Sequence, residues 1–166
     1  TVTSTWRLTR NDSQLTVKYT LRLWGKSLVL DVDSADNVCG AIRAGKCTGV
    51  TNPRLLEIPY LSYKETGRPA TLCFDAAGQP WFMSVYFDWY RSNSSEFYAY
   101  AILPQKDQAV LNGGARYLPK TDGQRNPVFE RIFLTFSRDF VETLPNIPNP
   151  ASPWLIEAGQ RIWTAS

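Results

Sequence analysis

Apolar and polar residues alternate over short stretches along most of this chain, and the alternation predicts strands. Leu15, Val17, Tyr19, Leu21 and Leu23 share one parity, against Thr16, Lys18, Thr20 and Arg22 on the other. Successive side chains of a strand point to opposite faces, so residues 15–23 read as a strand with one buried face. Residues 2–10 alternate in the same way, with Trp6 and Leu8 against Arg7 and Thr9. Residues 28–33 turn Leu28, Leu30 and Val32 inward and Asp31 and Asp33 outward. Polar turns at 11–14 and 24–27 join the three into an antiparallel meander with one wet face.

Further on the pattern is less even. Residues 34–51 are rich in Gly, Ala and small polar residues and read as a long loop. Residues 55–61 suggest a short strand, with Pro59 at an edge or bend. After a charged turn at 62–68, strands at 69–74 and 81–90 form a hairpin about the turn 75–79. Residues 96–103 are apolar on both parities apart from Glu96, which predicts a central strand of a two-layer structure. Residues 109–118 hold a short strand broken by Gly113 and Gly114, 120–126 a turn, and 128–137 a strong strand rich in Phe and Ile. A helical turn begins within 139–144. Pro145, Pro148, Pro150 and Pro153 then stiffen the chain. Ser152 and Pro153 are suited to cap a short helix over 154–163.

Short strands with turn signals about every ten residues point to an all-β fold. The expectation is a two-layer antiparallel β-sandwich over 1–144, followed by a Pro-rich C-terminal tail and a short terminal helix over 145–166. That tail reads as a linker to a further domain, with folding back onto the sandwich as the alternative. The chain starts at Thr1 without a methionine and reads as an excised piece or a processed product, so its compartment is not legible.

Chemistry concentrates in residues 81–97, WFMSVYFDWYRSNSSEF. Trp81, Met83, Val85, Phe87 and Trp89 share the apolar parity and are expected in the core. Phe82, Ser84, Tyr86, Asp88 and Tyr90 share the other, which mixes rings with polar tips. Sugars have apolar faces and a belt of hydroxyls, so a site for them combines flat rings with acids and amides. Asp88, Tyr90, Asn93 and Glu96 are therefore the candidate carbohydrate contacts; the alternative is a sheet cover and a plain polar turn. A second group is Asp122, Arg125 and Glu130. Acid pairs such as Asp88 with Glu96, or Asp122 with Glu130, could act on a glycosidic bond; the alternative is that Arg125 or Arg131 pairs with Glu130.

Composition removes several classes. The chain has no histidine, which takes away the commonest general base and most zinc sites. A net charge of +3, with no basic run among the rings, gives no basis for nucleic-acid binding. No apolar run reaches membrane-spanning length and no signal peptide is visible. Asp31, Asp33 and Asp36 alternate but lack calcium-loop spacing, and Gly113-Gly114 lacks that of a phosphate loop. No metal or cofactor is expected. Cys39 and Cys47 lie eight apart across a Gly-rich loop, which leaves a local disulfide and free thiols both open.

Four segments together carry a resemblance: NPRLLEIPYLSY (52–63), FDWYRSNSSE (87–96), NGGARYLPKTDGQRNPVFERIFLTFS (112–137) and IPNPASPW (147–154). They resemble the galactose-mutarotase-like β-sandwich that precedes a TIM barrel in some large bacterial glycoside-hydrolase-like proteins. The resemblance implies a non-catalytic accessory module, with carbohydrate and a following catalytic domain as partners and the catalytic carboxylates in that domain. Such sandwiches usually run longer, so this would be a reduced version. Mutarotases rely on histidine, so epimerase activity is not implied. The alternatives are a stand-alone hydrolase working through paired carboxylates and a purely structural interaction domain.

Overall fold

A computed structural model describes residues 1–10, 13–58, 69–98, 100–111 and 113–145. Among these the chain is a sandwich of antiparallel strands. Seven strands form the large layer: β1 (Val2–Arg10), β2 (Ser13–Trp24), β3 (Ser27–Ser34), β6 (Thr51–Glu57), β7 (Ala70–Ala76), β8 (Gln79–Phe87) and β13 (Val128–Ser137). Their order is β1-β2-β3-β13-β8-β7-β6. The opposing layer is two three-stranded sheets, β10-β11-β5 and β4-β12-β9. They are built from β4 (Ala41–Arg43), β5 (Lys46–Thr48), β9 (Glu96–Tyr98), β10 (Ile102–Gln105), β11 (Gln108–Val110) and β12 (Gly114–Arg116).

The core lies between the layers. Val17, Val32, Leu72, Met83, Val85, Phe87, Val128 and Ile132 of the large sheet meet Ala109, Leu111, Ala115 and Tyr117 of the small ones. Each fully buried Val or Leu here contributes about 1.5–3 kcal/mol. Of the side chains expected inward from 15–23 and 28–33, Leu15, Val17, Tyr19, Leu30 and Val32 lie in or against this core, while Leu23 and Leu28 at the sheet's end are exposed. Where β12 crosses the core it runs so close to β4 that a Cβ on Gly114 would fall 2.3 Å from the Ile42 carbonyl oxygen.

The outer face of the large sheet is wet over most of the β1-β2-β3 meander, as expected, but dry where it reaches β13, β8 and β7. Val29, Thr71, Ser84, Tyr86 and Phe133 are all buried there. The cause is local: a 3-10 turn, Val141–Thr143, folds back over the strands. Phe140 packs edge-on to Phe82 at 5.9 Å, and the Thr143 and Thr71 hydroxyls lie 3.5 Å apart. Trp24 packs edge-on to Phe133 at 5.5 Å on the same face.

Three expectations give way. Residues 34–51 hold β4 and β5, which pair with β12 and β11 far along the chain. Residues 96–103 are not one central strand: β9 joins one small sheet and β10 the other. Its two apolar parities do not mark a buried strand, since Ile102 and Leu103 of β10 are both exposed. Trp89 is not in the core, because β8 ends at Phe87 and Trp89 lies in the turn beyond, 36% exposed. Cys39, Cys47 and Cys73 are free thiols. The proline-rich tail beyond Pro145, the helix over 154–163, and residues 59–61 and 62–68 lie outside the described residues.

Candidate functional site

Where β8 ends, the chain turns over the start of β13, and the candidate residues gather there. The Asp88 N–H donates to the Arg131 carbonyl at 2.7 Å, extending the β8–β13 ladder by one rung. Its carboxylate Oδ1 then accepts the Tyr90 N–H at 3.2 Å, the short-range bond that makes Asp a turn former. The Asn93 N–H donates to the Phe129 carbonyl at 3.2 Å, and the Asn126 side-chain amide donates to the Asn93 carbonyl at 2.9 Å. The Ser95 N–H reaches the Arg116 carbonyl at 2.8 Å, so the turn is fixed to both layers.

Beneath the turn sits Glu130, with no exposed surface. Its Oε1 accepts two hydroxyls, from Tyr117 at 2.5 Å and from Ser92 at 2.8 Å. Ser92 Oγ also accepts the Ser94 N–H at 3.0 Å. Tyr117 is itself fully buried; its hydroxyl accepts the Phe129 N–H at 3.2 Å, and the Arg125 guanidinium donates to its carbonyl. Among the described residues Glu130 Oε2 has no hydrogen-bond partner. Burial pushes the Glu130 pKa up, the Tyr117 and Ser92 hydrogen bonds oppose the rise, and the nearby Asp88 charge adds to it. Burial and the same carboxylate push the Tyr117 phenol up.

The sequence candidates therefore part company. Asp88 is 2% exposed and bonded into its own turn. Tyr90 is 43% exposed and Asn93 is exposed beside it. Trp89 and Tyr90 present a pair of rings with centroids 5.8 Å apart, tilted by 53°. Glu96 is half-buried, and its carboxylate takes the Arg116 guanidinium at 2.9 Å. That guanidinium also lies over the Tyr98 ring, 4.5 Å from its centre. Asp122 is exposed and holds its own turn through the Gln124 N–H at 2.9 Å.

Neither acid pair expected from the sequence forms. Glu96 is taken by Arg116, and Asp122 is turned to its own loop. The carboxylates that do come together are Asp88 and Glu130, close enough for the charge of one to lift the pKa of the other. The arginine pairing expected of Glu130 gives way as well: Arg131 binds Asp31 bidentately, at 2.6 and 2.7 Å, and Arg125 binds the Tyr117 carbonyl. Alternation explains the outcome for Arg131, since neighbours in a strand face opposite ways. Asp36 accepts the Thr16 N–H at 2.7 Å, so Asp31 and Asp36 are both engaged within the fold. Ser92 and Tyr117, which hold Glu130, had no sequence signal beyond a polar turn and a residue after a glycine break.

On the outer face Tyr86 lines a cavity of about 320 Å³ with Trp24, Phe133, Lys26, Glu142 and Leu144. At its rim Lys26 and Glu142 form an ion pair at 3.6 Å. Among the described residues no group of three or more Cys, Asp or Glu side chains is arranged to hold a metal ion. No described helix is long and apolar enough to cross a membrane. Comparison with known proteins finds no matching family model, no matching curated protein and no matching solved structure.

Proposed function

We propose that this chain is a carbohydrate-associated accessory module of a glycoside-hydrolase-like protein, meeting glycan weakly through the 88–96 turn or packing that turn on a catalytic barrel. The observation that carries this reading is the exposed Trp89–Tyr90 ring pair on a turn fixed from below by buried Asp88 and Glu130. A rigid backbone under two exposed rings lets a sugar face stack with little ordering cost. Asn93, exposed on the same turn, supplies an amide that can both donate and accept. In this reading Asp88 positions the turn rather than touching the ligand.

The burial of the acid pair weighs against the rival reading, a stand-alone hydrolase. A glycosidase needs two carboxyl groups flanking room for the bond. Here Glu130 is fully buried with Oε1 already holding two hydroxyls, and Asp88 is committed to a backbone N–H.

A glycan array with Trp89→Ala, Tyr90→Ala and Asn93→Ala tests the proposal. Binding should fall with little change in Tm, while Asp88→Ala should lower Tm as well. Loss of binding in Trp24→Ala but not in Tyr90→Ala would move the site to the outer-face cavity. Turnover of an aryl glycoside by the isolated chain, abolished by Glu130→Gln, would replace this reading with the hydrolase.

A further inference from the structure

The two edges of the large sheet differ in kind. At one edge, β6 carries Pro53, an irregular register between Thr51 and Arg54, and Asn52 at φ 48°. A proline, a bulge and charges are the devices that keep a sheet edge from adding strands. At the other edge, β1 has neither a proline nor a bulge, and its charges are Arg7 and the terminal Arg10. It runs nine residues, with every position from Val2 to Arg10 in unbroken register with β2. Residues 2–9 are exposed, and β2 is its only strand neighbour among the described residues. Its outer rim of backbone N–H and C=O groups is thus open to another strand.

The side chains on β1 continue the inner face of the sandwich past its cover. Trp6 stands opposite Val17, a core residue, and Leu8 opposite Leu15, which is half-buried against the core. Trp6 is nevertheless 57% exposed and Leu8 46%. The opposite face of β1 is Thr3, Thr5, Arg7 and Thr9.

We infer that β1 is a self-association edge, and that its occupant is β1 of a second copy of this chain, paired antiparallel across a two-fold axis. The residue sequence fits its own reverse. With the axis at Thr5, Val2 faces Leu8, Ser4 faces Trp6, and Thr3 faces Arg7 of the other copy. Val2 and Leu8 then meet on the inner side with Ser4 beside Trp6, threonines and arginine lie on the outer, and no charge stands opposite its like. The symmetry closes on itself, so the pairing stops at a dimer and joins two large sheets into one.

Sedimentation velocity over a concentration series tests this with the whole chain. The expected result is a monomer–dimer equilibrium, abolished by Trp6→Lys and by Thr5→Lys with the far-UV circular dichroism unchanged. Arg54→Glu on the opposite edge should leave the equilibrium as it is. Hydrogen exchange of the unsubstituted protein provides a readout that needs no variant: β1 amides should slow as concentration rises, while β6 amides do not. A monomer at every concentration, an open-ended series of larger species, or a dimer that survives in folded Trp6→Lys would overturn the inference. So would β1 amides whose exchange ignores concentration.

Discussion

The Tyr117 hydroxyl donates to Glu130 Oε1 at 2.5 Å, and both side chains are fully buried, one from each layer of the sandwich. A hydrogen bond to a buried carboxyl stabilises only in place of the water that the group has lost. Tyr117→Phe keeps the ring and removes the donor, leaving Ser92 as the remaining hydroxyl on Oε1. It should cost about 1–3 kcal/mol, read as a lower urea midpoint at unchanged m-value. No loss of stability would show that this contact does not hold the layers together.

The same glutamate should make stability depend on pH. Its pKa is raised above the ordinary 4.5 in the folded state by burial, so the folded chain holds this proton more tightly than the unfolded one. The contribution is full below pH 4.5 and is lost as pH rises through the folded value. Glu130→Gln removes the ionisation, so its stability relative to the unsubstituted protein should improve as pH rises above about 4.5. Thermal melts across pH measure this. A gap between the two proteins that stays constant with pH would refute it.

Asp31 and Arg131 sit directly opposite on β3 and β13 and make two parallel hydrogen bonds, both side chains largely shielded from water. Asp31→Asn should destabilise by about 1–3 kcal/mol, because it weakens two charge-assisted bonds and leaves a guanidinium poorly paired. The double substitution Asp31→Asn with Arg131→Gln should recover part of that loss. Additive losses would mean that the two residues act separately.

The β7–β8 hairpin turns through Ala77 and Gly78, both at positive φ, 51° and 71°. Glycine adopts that backbone freely and alanine does not. Ala77→Asn supplies the residue that two-residue hairpin turns favour and should stabilise by about 0.5–1 kcal/mol. An unchanged or lowered Tm would show the strain to be offset elsewhere.

The sequence made strands legible where the pattern was long and one-sided. Val128–Ser137 and Val2–Arg10 were readable to the residue, because turn residues bracket long β-prone runs of ten and nine positions. β4 and β5 were not, since three residues cannot show a period and their partners β12 and β11 lie far along the chain. Parity set Asp88 apart from the core set, yet it is 2% exposed. Its burial depends on the turn closing over β13, which no local pattern encodes. For the same reason Asp88 and Glu130 could not be paired in advance: their strands adjoin only because β13 inserts between β3 and β8.

That insertion also constrains how the protein comes to exist. The meander β1-β2-β3 and the later group β6-β7-β8 can each form from neighbouring segments, but within the large sheet they are joined only by β13, the last described strand to be made. During synthesis two half-sheets wait with raw flanks, at β3 and at β8. Loop closure across roughly a hundred residues then limits the rate. Crowded expression should therefore favour tangled intermediates over native chains, and supplying the 128–137 segment late is the step that a chaperone would have to protect.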